Sequence, residues 1–132
     1  MNKSKFIGIK ADENIDMMDF TGYKCLSDYV HGSYDIFHTM KFKSGYIDFM
    51  CNDECCTNKS ENFKKINVFA TSICKNSLLI YGNILLVYTD EDGKSKGFTD
   101  DECNQILTEI KRVISNPKYK EMQGQMHKLF DR

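Results

Sequence analysis

A chain of 132 residues has the size of one domain and can bury a core without disulfide staples, hiding roughly two-thirds of the surface its unfolded form exposes. Apolar residues make up 41% and charged residues 28%, and the charges nearly cancel at net −1. That balance argues against general affinity for nucleic acid or anionic lipid, which select a basic excess, and no stretch reaches the ~20 apolar residues of a membrane helix.

Residues 5–10 alternate weakly and predict a first strand. The apolar run Phe6–Ile9 is too short for a signal peptide, so a cytoplasmic location is expected. The acidic stretch 12–20 (DENIDMMDF) reads as a loop. Tyr23, Leu26, Tyr29 and Val30 recur at helical spacing, with Gly32 as a stop. Residues 34–43 then alternate: Tyr34, Ile36, His38, Met40 and Phe42 share one face, and Phe37 is the exception. Ser44-Gly45 leads into Tyr46–Cys51, which predicts a β-hairpin. Asn52-Asp53-Glu54 ends it as a turn.

Residues 55–65 are polar and irregular. Ile66, Phe69, Ala70, Ile73 and Cys74 fall at helical spacing, with Asn67 near the start. Residues 78–88 form an apolar run that reads as a buried central strand, bulged at Gly82-Asn83. Residues 90–97 are a solvated turn. Thr99-x-x-Glu102 is a capping box ahead of the stripe Cys103, Ile106, Leu107, Ile110, Val113, Ile114. That helix stops at Asn116, because proline cannot continue it, and Asn116-Pro117 suits the start of another. Tyr119, Met122, Met126, Leu129 and Phe130 give the terminal helix an apolar face.

These elements predict an α+β fold: a small, mostly antiparallel sheet with a β-hairpin, packed on two or three helices, plus a C-terminal amphipathic helix. The division is one domain over 1–116 and the helix over 117–132, for packing or oligomerisation. Its two methionines and Gly124 favour an adaptable contact between copies, so a homo-oligomer is expected.

Six cysteines without an export signal read as reduced thiols that pack as small apolar residues. A zinc reading would join Cys51, Cys55 and Cys56 to His31 or His38, but the second Cys pair of a zinc site is missing. Gly93-Lys94-Ser95 has the end of a phosphate loop, yet the glycine required five residues earlier is Tyr88. No histidine has an evident orienting partner and no serine sits in a Gly-x-Ser-x-Gly elbow. The expectation is therefore a non-enzymatic protein with no cofactor and no metal. A hydrolase or transferase that uses a Cys or a His is the residual enzyme reading. Tyr23, Tyr46, Tyr81 and Tyr88 lie beside polar residues, the company in which a tyrosine ring stacks on a base.

From about Tyr23 to Val113 the order of features resembles an uncharacterised domain family of phages, plasmids and their Gram-positive hosts, domain of unknown function number 3846. The matching marks are His31-Gly32, Cys51-Asn52-Asp53-Glu54, Asn67-Val68-Phe69-Ala70, Ile80-Tyr81-Gly82-Asn83 and Gly97 through Glu102. The chain departs from that pattern at Cys55-Cys56, where a longer polar insert replaces a short turn. The resemblance implies an accessory protein of a mobile element that defends it against host immunity. One such role is a sponge that sequesters a small cyclic nucleotide or an ADP-ribose-type signal. The expected ligand residues flank the bulged strand: Tyr81 to stack, Asn52, Asn67, Thr71 and Asn83 to read base or ribose, and Lys64, Lys65 and Arg112 for phosphate. The alternative is a protein-interaction module that inhibits a host factor and presents an apolar patch.

Overall fold

Alternating apolar residues place two different cores on the two faces of one sheet. The computed structural model describes residues 5–19, 21, 23–56, 65–74 and 79–130. In chain order the elements are β1 (Lys5–Ile9), β2 (Ile15–Asp19), α1 (Tyr23–Val30), β3 (Tyr34–Phe42), β4 (Gly45–Asn52), α2 (Val68–Ile73), β5 (Ile84–Thr89), β6 (Ser95–Lys96), α3 (Asp100–Ile114) and α4 (Pro117–Phe130). The strands lie in the order β2-β1-β5-β4-β3, with β6 beside β5, and every pairing is antiparallel. The expected α+β architecture is the one observed.

On one face, Ile7 and Ile9 of β1, Phe49 of β4 and Ile84 of β5 meet Phe69 of α2, Ile106 and Ile110 of α3 and Tyr119 of α4. On the other, Phe6, Met50, Leu85 and Val87 meet Leu26 and Val30 of α1. Each large side chain sealed this way contributes about 1.5–3 kcal/mol. α1 approaches closely because β1 carries Gly8: a Cβ there would collide with the Tyr29 ring. The Tyr29 hydroxyl crosses to Asp16 of β2 at 3.0 Å.

The helix starts follow the sequence. Thr99 Oγ1 accepts from the Glu102 N–H at 3.2 Å and Glu102 Oε1 accepts from the Thr99 N–H at 2.9 Å, closing the expected box. Asn116 Oδ1 accepts from the Lys118 N–H at 2.9 Å and starts α4. All six cysteines are free thiols; Cys51, Cys55, Cys74 and Cys103 are buried and Cys56 is exposed.

Three expectations change. Within the acidic stretch 12–20 read as a loop, Ile15–Asp19 form strand β2, paired along its length with β1; Ile15 and Met18 pack on opposite cores while Asp16 stays half-exposed and Asp19 exposed. Gly82 is not a bulge inside a strand: β5 begins at Ile84, and Gly82 turns the chain with φ +86°. The expected strand start at Leu78 lies outside the described residues. The single face expected for Tyr34 through Phe42 is broken by a β-bulge between His38 and Met40. An extra residue shifts the side-chain parity. Phe37 and Met40 therefore share the face of α2 and α3, with Phe37 stacked on Phe49 at 5.3 Å. α4 lays Tyr119, Met122 and Met126 against its own domain, which is the packing role among the two expected for this helix.

Candidate functional site

Most of the polar side chains expected to read a ligand instead bond the chain's own backbone. Asn67 is fully buried. Its Nδ2 donates to the carbonyls of Ile9 at 3.1 Å and Gly82 at 2.8 Å, and its Oδ1 caps α2 by accepting from the Ala70 N–H at 3.0 Å. Thr71 Oγ1 accepts from the Ile80 N–H at 3.0 Å. Tyr81 is 4% exposed and its N–H donates to the Cys55 carbonyl at 2.7 Å. A ring so covered has no face on which a base can stack. Asn52 Nδ2 donates to the carbonyls of Val30 and His31, each at 3.0 Å, and its Oδ1 accepts from the Glu54 N–H. Asn83 Nδ2 donates to the Tyr29 carbonyl at 3.3 Å.

Asn67, Thr71 and Tyr81 are thus brought together, but around the crossing of Ile66 with Tyr81, where they fasten irregular backbone that has no ladder of its own. The Asn67 side chain bonds the carbonyl of Gly82, the residue beside which room for a ligand was expected. Lys65 is exposed, Arg112 lies exposed on α3 bonded to Glu109, and Lys64 lies outside the described residues.

Among the described residues, a concave feature lies elsewhere. The bulge turns Met40 toward α3, and the helix does not cover the sheet out to this edge strand. A groove of about 500 Å³ results. Phe42, Ile47 and Leu86 form its floor, Phe69 and Ile73 of α2 one end, and Ile106, Ile110 and Val113 of α3 a wall. Gln105 and Glu109, both exposed, mark the mouth, with Thr39 across from them. Thr39 is held in the bulge by donating its hydroxyl to the Ile47 carbonyl.

Glu109 is the one charged residue of the lining. Arg112 beside it, with Nε 3.1 Å from Oε1, holds that carboxyl below its ordinary range. Apart from Thr39, Gln105 and Glu109 the lining is apolar, so what it offers a guest is chiefly exclusion of water from apolar surface. Sequence reasoning missed the groove because it assigned all of β3 to one face and the whole α3 stripe to the core. Phe37, the residue that breaks the alternation, is the signal that the strand changes parity. Among the described residues, no group of three or more His, Cys, Asp or Glu side chains is arranged to hold a metal ion, and no helix is long and apolar enough to cross a membrane.

No protein-family model, no curated protein and no solved structure matches this chain.

Proposed function

We propose that this domain is a non-enzymatic interaction module that holds an apolar segment of a partner protein in the groove between β3 and α3. The groove's lining carries the reading: its walls are apolar, and its one charge is a carboxylate. Phosphates need cations or oriented N–H donors, so this lining disfavours a nucleotide. A free small molecule is commonly enclosed over most of its surface. Here Met40, a wall of the groove, is 51% exposed. A guest that is one side chain of a longer chain fits an open-sided cleft better than a separate compound does. Burying one bulky apolar side chain supplies about 1.5–3 kcal/mol. Inhibition of a host factor by such a module would suit the mobile-element setting that the resemblance implies.

The test is selection of binders from a displayed random peptide library, followed by titration against the wild type and Met40→Asp. Selected peptides should share one or two large apolar residues. Met40→Asp should weaken them at least about tenfold, the equivalent of 1.4 kcal/mol, with the unfolding temperature nearly unchanged because Met40 is half exposed. Peptides that bind Met40→Asp as well as the wild type would overturn the reading. A panel of cyclic nucleotides and ADP-ribose derivatives should leave the unfolding temperature where it is. A rise of the kind produced by about 2.7 kcal/mol of linkage at a hundredfold ligand excess over Kd would return the domain to the sponge reading.

A further inference from the structure

The bulge that turns Met40 into the groove leaves His38 on the opposite face of the sheet, in register with Asp48 of β4. The two groups sit in contrasting surroundings. Asp48 is fully buried, whereas the His38 side chain is 67% exposed. His38 Nδ1 lies 2.8 Å from Asp48 Oδ1. An ionised carboxylate can only accept, so against it Nδ1 is the donor, and in the neutral ring that tautomer leaves the lone pair on Nε2, on the far side of the imidazole from Asp48.

Asp48 is poorly satisfied for a group whose role is structural. Its Oδ2 is buried without a hydrogen-bond partner, as is the hydroxyl of Thr89, two residues along β5 from Val87, the residue opposite Asp48, and on the same face. A buried carboxylate held by one neutral hydrogen bond gains from any positive charge that develops on that neighbour. A proton on Nε2 supplies such a charge, and so does any other bond formed at that nitrogen. On this face the Tyr46 ring stands 5.1 Å from the imidazole, and exposed Lys41, in register with Tyr46, is a cation on the same face of the hairpin.

We propose that His38 is a nucleophilic histidine whose Nε2 accepts a phosphoryl group from a small reactive phosphate donor, with Asp48 as its positioning residue. In the simplest case the donor is phosphoramidate, reacting as its zwitterion. The Nε2 lone pair forms a bond to phosphorus while the bond from phosphorus to the donor nitrogen breaks. That nitrogen leaves as ammonia with the electron pair. The imidazole keeps its Nδ1 proton, and its new positive charge faces the Asp48 carboxylate. Lys41 lies on the side where the phosphoryl oxygens arrive. This site does not depend on the groove, which lies on the other face.

The experiment incubates the full chain with potassium phosphoramidate at neutral pH. Phosphorylation is followed by intact mass and ³¹P NMR, and assigned by peptide mapping under alkaline conditions. His31, exposed after α1, is the internal reference. His38 should be modified about tenfold faster than His31, as expected when an oriented carboxylate backs an imidazole. Asp48→Asn should bring it down to the His31 rate, and His38→Gln should remove the fast component and leave the slow labelling of the remaining histidines. ¹⁵N spectra of the wild type should show the His38 Nε2 unprotonated in the neutral ring. A His38 rate no greater than that of His31 overturns the proposal, and this comparison needs no variant to fold. An unchanged rate in folded Asp48→Asn also overturns it. Met40→Asp should leave the labelling unaltered, which separates this outcome from that of the groove.

Discussion

Replacing Asn67 by alanine should cost about 4 kcal/mol of stability, because three buried backbone groups lose their partners together. The α2 cap bonded to Asn67 Oδ1 is worth about 1 kcal/mol. The carbonyls of Ile9 and Gly82 each lose a buried donor, at about 1–3 kcal/mol apiece. Unfolding entropy near 2.1 cal/mol/K per residue gives roughly 0.28 kcal/mol/K for 132 residues, so the unfolding temperature should fall by about 14 °C. That is a large part of the roughly 5–15 kcal/mol typical of a whole domain. Asn67→Asp should be at least as damaging. It keeps the capping oxygen but turns a second oxygen toward two carbonyls. Urea unfolding followed by circular dichroism, extrapolated to water, measures both. A residue kept for a ligand and free of backbone partners would change stability by only about 0.5 kcal/mol on truncation. An Asn67→Ala loss below about 1 kcal/mol would refute the assignment of this side chain to the fold.

Thr99→Ala should cost about 1 kcal/mol, and adding Glu102→Ala should cost less than its single-variant value, because each side chain bonds the other's backbone; strict additivity in denaturant melts would count against the box. The Cys56 thiol is pushed up to about 11 by partial burial and then by the neighbouring Cys55. A thiol with a raised pKa is protonated below that value, so iodoacetamide should label native Cys56 slowly at neutral pH. The rate should climb about tenfold per pH unit toward about 11. A plateau near the ordinary cysteine value of about 8.5 would show that its surroundings do not suppress the thiolate.

Local rules of high specificity were legible in the chain. The Thr99–Glu102 box, the stop at Pro117, the β3–β4 hairpin and the helix starting after Asn67 are each set by residues within a few positions of one another. What stayed hidden depends on partners far along the chain. β2 is acidic and reads as solvated, yet it gains a full ladder from β1 and a hydroxyl from Tyr29. Asn67 looks like a polar residue available to a ligand until Ile9, 58 positions earlier, takes its amide. His38 has no neighbour in sequence to orient it; the carboxylate comes from across the hairpin. The groove needs both the parity change in β3 and the placing of α3, and neither is a local property. Periodicity shows that Ile106, Ile110 and Val113 share a face, but not that the sheet opposite them runs out before it fills that face.

The most direct test of the groove as the binding site is a methyl NMR titration with the tightest selected peptide. If the guest enters between β3 and α3, the shifts concentrate on Met40, Leu86, Ile106, Ile110 and Val113 and saturate together with one affinity. Shifts confined to the α1 face around Ile36 and Met50, with the groove methyls unmoved, would contradict it.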